Sequence, residues 1–548
     1  MKMKPAAILF TFALGVTLTP QIRGADIPMF SVHEVTLKSE GDYTNPYKEL
    51  IADATLTEPD GKTTRVLPLF WDGGSTWKLR FTPDRPGKWQ WTVKSGDGNL
   101  NGRAGAFTAV RSKRKGATRP MRDFPYHFER QDGSRFWFMG DTAWAFFHDS
   151  PEEKYDGAAA LRYLDARAAK GFNVIHCMML SEVGDGNSGG KPWIDLSAEK
   201  MNPGYWQQVD QRIAYANSKG IVVGLALAWA DKRKQEPYAW RMFPGLEARK
   251  RYARYVGARY GAYDVYFLVS GEWHGEVRTR PSTETEMKKE FIEIGNALSA
   301  ANPQGRMIGI HPMTPHGSTR EFNHAPWMSF GDYQQNYHDL HGRALESRCF
   351  NKPVVNSEYG YHLRDQNGDG TPDKDNSTSL AAIRNATWDI VMAGAYVVTG
   401  FGTTYFGGHR DPGPFDLDAS KNKDWERQIG LIQRLFTGIE YWKLEPRDEL
   451  IRCNTPRGAE AKEFERTIPP VATYWCLAQP GKQYVLYARG LADSMELTLE
   501  GGNYTARQFN PRTGEFTDLS KPNGAMPFHY KPPDQQDWVV LLQEAKLK

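Results

Sequence analysis

The sequence predicts a multidomain chain, a central (β/α)8 TIM barrel flanked by N- and C-terminal β-sandwich domains. Three observations predict it. From Arg135 to Thr399, short apolar runs alternate with amphipathic helical patterns, and eight such units can be counted. On either side the pattern changes to short alternating segments split by turn residues, the signature of antiparallel sandwiches. At 548 residues the chain is also too long for one compact core. The expected division is residues 1–25 a signal peptide, 26–115 the first sandwich, 116–450 the barrel and 451–548 the second sandwich.

Residues 1–25 carry Lys2 and Lys4, an apolar run from Ala6 to Leu18, and Gly24-Ala25, the layout of a secretory signal that is removed on export. The run is too short to span a bilayer in the mature chain. Without Lys2, Lys4 and Arg23, the balance of 69 basic against 65 acidic residues falls to near neutrality, so nucleic acid is not an expected partner. The expected location is secreted or periplasmic.

In the first sandwich, Ala52–Thr57, Arg65–Phe70, Trp77–Phe81 and Lys88–Val93 read as strands between turns such as Pro59-Asp60-Gly61-Lys62. Alternation puts Trp77, Leu79 and Phe81 on one face. The barrel strands then read as Phe136–Met139, Asn173–Leu180, Ile221–Trp229, Val265–Ser270, Met307–Ile310, Trp327–Phe330, Pro353–Ser357 and Ala395–Thr399. Between them, sets such as Trp206, Val209, Ile213 and Ala216 recur at helical spacing, and helices stop at Gly171, Gly220 and Gly261. The first strand lacks the Gly-rich phosphate turn of a doubly wound sheet. The last sandwich is carried by Ala472–Leu477, Gln483–Ala488, Met495–Leu499, Tyr504–Asn510 and Trp538–Leu542. Its Cys453 and Cys476 could pair or remain free thiols; the four cysteines have no metal-type spacing.

Chemistry in this architecture belongs at the C-terminal ends of the strands. The fourth and seventh strands each end on a glutamate, Glu272 in Ser270-Gly-Glu-Trp273 and Glu358 in Asn356-Ser-Glu-Tyr359. Glycoside hydrolysis needs such a pair, one carboxylic acid to protonate the leaving oxygen and one carboxylate to attack or to activate water. Glu182 and Asp231 are reserve acids. Asp141, Trp144, His176, Trp229, Trp273, His274, His311, Tyr333, Gln334, Tyr359 and Tyr405 fall near the same ring and could hold a sugar by hydrogen bonds and aromatic faces. No HExxH or GxSxG pattern suggests a catalytic metal or a serine nucleophile, and no cofactor is expected for catalysis. One loop has metal spacing: Asp365, Asn367, Asp369, Thr371 and Asp373 place oxygen ligands around Gly370 as a calcium loop does, with Asn376 where a full EF-hand has Glu. A structural calcium ion is expected there.

Phe138-Met-Gly-Asp-Thr-Ala-Trp144, followed by Tyr163-Leu164, Arg167 and Lys170-Gly-Phe-Asn-Val174, resembles the apiosidase-like barrel family of secreted bacterial proteins. Gly271-Glu-Trp273 and Asn356-Ser-Glu-Tyr-Gly360 fit its fourth- and seventh-strand sites. The segment with Asp72-Gly-Gly74, Arg80-Phe-Thr-Pro83 and Gly87-Lys-Trp89 is similar to the sandwich that often precedes such barrels. Phe509-Asn-Pro-Arg-Thr-Gly514 resembles a module labelled collagen-binding, from which no collagen partner is inferred. The resemblance implies Glu272 as acid/base and Glu358 as nucleophile or base, and relatives that release apiose from pectin. The wider clan commonly carries Asn before the fourth-strand Glu; here that position is Gly271. The expectation is therefore a secreted glycoside hydrolase of a plant or algal polysaccharide, retaining in outcome. A non-catalytic polysaccharide-binding barrel and a polysaccharide lyase are the alternatives.

Overall fold

The computed structural model describes residues 26–545 apart from 152–153, 181–185, 196, 231–239, 276–282, 314–317, 336–338, 361–378, 400–419 and 459–471. The eight units are β1 Met139–Thr142 with α1 Gly157–Ala169, β2 Val174–Met178 with α2 Pro203–Ser218, and β3 Val222–Ala226 with α3 Leu246–Tyr260. Next come β4 Val265–Leu268 with α4 Glu284–Ala300, and β5 Ile308–Gly309 with the short α5 Ser318–Phe322. The last three are β6 Gly331–Gln334 with α6 Leu340–Arg348, β7 Val354–Glu358 with α7 Leu380–Met392, and β8 Tyr396–Thr399 with α8 Ser420–Thr437.

The strands lie in the order β5-β4-β3-β2-β1-β8-β7-β6, and every pair is parallel. The β5–β6 seam closes just ahead of β6, through a parallel bridge between Ile308 and Met328. There Ser329 N donates to Ile308 O at 2.8 Å. Inside the barrel, His176, Gly224 and Tyr266 stand in register across β2, β3 and β4. A Cβ on Gly224 would lie 2.2 Å from Tyr266 Cζ, so only glycine lets this phenol ring fill the interior. Helix starts follow their side chains: Asp156 caps α1, Asn202 caps α2 ahead of Pro203, and Thr283 with Glu286 forms a capping box on α4.

Two strands lie later than the apolar runs predict. The Phe136–Met139 run is not β1: Arg135–Phe136 pairs with Phe128–Arg130 in a small antiparallel sheet. Phe138 packs 5.0 Å from Phe128 and 5.7 Å from Tyr266, so these aromatics plug the floor of the barrel and the strand proper starts at Met139. Likewise β6 is Gly331–Gln334, not Trp327–Phe330. Its polar residues defeat an apolar criterion because two of them, Asp332 and Gln334, serve the site described below.

The first sandwich faces a five-stranded sheet against a three-stranded one, with Trp77, Leu79, Phe81, Trp89 and Phe107 buried between them. The expected Arg65–Phe70 strand is split, Thr64–Pro68 in one sheet and Phe70–Trp71 in the other. In the last sandwich a six-stranded sheet opposes a three-stranded one, its first short strand being Glu445–Pro446, ahead of the boundary read from sequence. Cys453 and Cys476 fall in different sheets, and all four cysteines are free. Both sandwiches dock on the barrel through buried ion pairs. Arg80 and Arg259 share Asp210 on one side, each at 2.8 Å. On the other, Arg384 grips Asp537 and Arg489 grips Asp389, each by two hydrogen bonds between 2.6 and 2.8 Å.

Candidate active site

β3 and β4 remain paired past their formal ends. Trp229 bridges Gly271, with Gly271 N donating to Ala228 O at 3.0 Å and Ala230 N donating to Gly271 O at 2.8 Å. A Cβ at position 271 would lie 1.9 Å from Trp229 Cε3, so the indole occupies the space a side chain there would need. The next residue, Glu272, has a φ of +40°, a left-handed conformation that is strained for a non-glycine residue. Hydrogen bonds on either side hold it: His311 N to Ser270 O at 2.9 Å, and Gly275 N to Glu272 O at 2.8 Å. Gln334 Nε2 donates to Glu272 Oε1 at 3.3 Å.

Glu358 ends β7 beside a β-bulge. Tyr333 pairs with Asn356 but Gln334 pairs with Glu358, which leaves Ser357 as the extra residue. The bulge lets two consecutive side chains reach one ring. Ser357 Oγ lies 2.8 Å from His311 Nδ1, and Glu358 Oε2 lies 3.1 Å from His311 Nε2. Ser357 Oγ also donates to Asp332 Oδ1, and Asp332 Oδ2 stands 3.4 Å from His311 Nδ1. Burial alone would strip the proton from His311, but Asp332 and Glu358 outweigh it and lift its pKa to about 10. His311 is therefore an imidazolium with both N–H groups engaged. His176, pushed well below the ordinary value by burial and by that neighbouring charge, is a neutral ring.

Glu272, His311 and Glu358 each contribute an atom to a group lying within 4.8 Å of one another. By donor type this set could also hold a metal ion, which would take the place of a proton on His311. Trp144 and Trp229 meet edge to face at 5.0 Å, and both lie against His311, at 5.5 and 5.6 Å. His176 packs 4.6 Å from Trp144. Glu272, Glu358, His311, Gln334, Trp144, Trp229 and His176 thus converge.

Asp141, Tyr333, Tyr359, Trp273 and His274 do not converge, and for the first three, on or beside β1, β6 and β7, the reason is parity: neighbouring strand residues face opposite sides. Asp141 turns to the helix layer, where its Oδ2 accepts from Tyr163 Oη at 2.7 Å and from Arg167 Nε. Tyr333 Oη reaches Leu340 O at 3.4 Å on α6, and Tyr359 Oη meets Thr387 Oγ1 at 2.7 Å on α7. Trp273 is fully buried against Phe322, 5.0 Å away. His274 packs on Trp273, and its Nδ1 accepts from Met313 N at 3.3 Å. Tyr405, the reserve acids Glu182 and Asp231, the calcium loop at 365–373 and the signal segment lie outside the described residues. Sequence reading missed Asp332 and Ser357. Asp332 was findable, since it stands two residues before Gln334 on one strand.

Residues 125–437 match the family described as Apiosidase-like, catalytic domain, and so cover more than half the chain. The chain belongs to this family. It is a glycoside hydrolase. Residues 26–96 of this apiosidase-like hydrolase match a domain of unknown function, DUF5060. A candidate glycoside hydrolase from Bacteroides vulgatus ATCC 8482 shares the fold with a TM-score of 0.69 at 16% identity, covering 95% of this chain and 100% of its own. A protein described as a glycoside hydrolase gives 0.64 at 16%, covering 79% and 98%. A glycoside hydrolase family 5 protein from the same Bacteroides strain gives 0.62 at 15%, covering 78% and 94%. No curated protein matches significantly. Among the described residues, no helix is long and apolar enough to cross a membrane.

Proposed function

We propose that this apiosidase-like hydrolase is exported and cleaves glycosidic bonds of a plant or algal polysaccharide with retention of configuration. Glu272 is the acid/base and Glu358 the nucleophile. The observation that carries this is the meeting of both carboxylates at one imidazolium, with contributing atoms within 4.8 Å. Retaining enzymes hold their carboxyl groups about 5–5.5 Å apart and inverting enzymes about 6.5–9.5 Å, to leave room for water. An approach of one atom from each carboxylate to within 4.8 Å supports the retaining reading. The assignment within the pair is the one the family resemblance implies, and the neighbour of Glu358 supports it. Glu358 has a cation at 3.1 Å, which favours the ionised form that attacks the anomeric carbon. Glu272, which accepts from Gln334 Nε2 at 3.3 Å, takes the acid/base role that the family resemblance implies.

Convergence of two carboxylates disfavours a binding-only barrel, and Tyr333, turned to the helix layer, is out of reach as a lyase base. The walls suit a sugar, because Trp144 and Trp229 offer aromatic faces for its apolar side. At position 271, where the wider clan commonly carries Asn, the Trp229 ring fills the space a side chain would need. Apiose-bearing pectin is the first substrate to try, on the family resemblance. Calcium at Asp365, Asn367, Asp369, Thr371 and Asp373 is proposed on spacing alone, as a stiffener of the chain after Glu358.

The test is a polysaccharide screen with product analysis, run with and without chelator, on wild type, Glu272→Gln and Glu358→Gln. Each variant is expected to lose about 10²–10⁴-fold or more in turnover, Glu272→Gln unfolding at an unchanged temperature and Glu358→Gln somewhat lower because His311 loses one of its two counter-charges. Near-wild-type turnover in either variant would remove that residue from the mechanism. The anomer first released, read by NMR, separates retention from inversion.

A further inference from the structure

A second cavity, of about 610 Å³, lies where the 111–117 linker meets the barrel's N-terminal face, the end opposite Glu272 and Glu358. The loops from α2 to β3 and from α3 to β4 line it. Lys113, Arg114, Lys115, Arg130 and Arg306 face it against a single carboxylate, Asp264. That carboxylate is already engaged: Oδ2 accepts from Arg130, and Oδ1 from Thr118 N at 3.1 Å.

Arg306 is the unusual member. It is only 5% exposed, and among the described residues its Nε has no hydrogen-bond partner and its guanidinium no ion pair. Its position is not accidental, since Asn302 clamps its backbone from both sides, donating to Arg306 O at 2.8 Å and accepting from Arg306 N at 3.2 Å. Burial pulls its pKa down to about 10, against the weaker pull of Asp264 and Asp84 in the other direction. A buried charge without a counter-ion is costly, and folds keep one where something completes it. Lys113, Arg114 and Lys115 stand exposed at the rim.

We infer that this cavity binds an oxyanion, a sulfate, phosphate or carboxylate group, with Arg306 as its buried anchor and the 113–115 cations as its rim. A guanidinium presents paired N–H donors that match two oxygens of such a group, and rim cations raise its local concentration. The group could arrive as a free inorganic anion or on an acidic polysaccharide. The site stands apart from the catalytic pair and does not depend on how that pair is read.

The experiment is calorimetric titration and thermal unfolding of the full chain in chloride buffer. The probes are sodium sulfate, sodium phosphate and an oligogalacturonate. Saturable binding with a rise in Tm is expected for wild type. Arg306→Met is expected to bind at least about 30-fold more weakly and to unfold, without anion, no earlier than wild type. Arg306→Lys, which keeps the charge but not the fork, covers the case in which Met disturbs folding, and is expected to weaken binding. Saturation by the inorganic ions alone identifies a free anion as the ligand. Tighter oligogalacturonate binding that is lost in a Lys113→Ser, Arg114→Ser, Lys115→Ser variant identifies the polysaccharide, and either result supports the site. No saturable binding of any probe, or wild-type affinity in both Arg306 variants, overturns it.

Discussion

His311 is held by Ser357, Asp332 and Glu358 at once, and its charge ties the site to the stability of the fold. Its folded pKa of about 10 lies above the ordinary 6.5, so the stabilisation it brings is complete below about 6.5 and disappears as pH rises through about 10. Wild type should therefore lose Tm more steeply than His311→Gln between pH about 6 and about 10.5, and parallel curves would contradict the charge assigned to this ring. Gly271 makes a second prediction. Alanine there would place Cβ 1.9 Å from Trp229, so the ring must move. Gly271→Ala should cost about 1–3 kcal/mol of stability as an overpacked site, with a fall in kcat/KM, both measurable on the purified variant. An unchanged kcat/KM would mean that Trp229 is not a wall of the sugar site.

At the scale of elements, the helices after the first four strands were legible from apolar residues at 3.6-residue spacing, and side chains cap several helix starts, Asp156, Asn202, Thr283 and Ser379 among them. Thr283 and Glu286 bond reciprocally on α4. Thr283→Ala should cost about 1 kcal/mol in denaturant unfolding and leave turnover untouched, because among the described residues the cap's bonds run only between Thr283 and Glu286. Strand ends were less legible. β6 hid behind its polar residues, and β1 behind an aromatic run that plugs the barrel floor. The bulge opposite Tyr333 and Gln334 had no sequence signal at all, yet it aims Ser357 and Glu358 at the same ring. A local misfit of this kind is expected where function overrides regular pairing.

Across the whole molecule, the sandwiches are locked on the barrel by buried charge together with apolar contact, such as Tyr487 stacked on Trp388 at 5.3 Å, rather than tethered by linkers. Arg384 and Asp537 are both nearly inaccessible, and Arg512 also reaches Asp537 at 2.9 Å. Removing one partner strands a buried charge, so Asp537→Ala should cost about 3–5 kcal/mol. Calorimetry should then show the C-terminal sandwich melting ahead of the barrel, whereas a single transition at the wild-type Tm would mean that docking rests on apolar contact.

By itself the sequence determined the eight-unit barrel, its two sandwiches and the catalytic candidates Glu272 and Glu358. Apolar periodicity and a polar residue at the end of a buried run are local patterns, written within a few neighbouring positions. Only the tertiary structure decided that Glu272 and Glu358 converge beside His311, that Asp332 and Ser357 support that ring, and that Asp141, Trp273, Tyr333 and Tyr359 face away. Those outcomes depend on register, strand parity and one bulge, which are set by pairing between segments far apart in the chain. The unpaired Arg306 belongs with them: one arginine among many in sequence, it becomes distinctive only where three segments bury it.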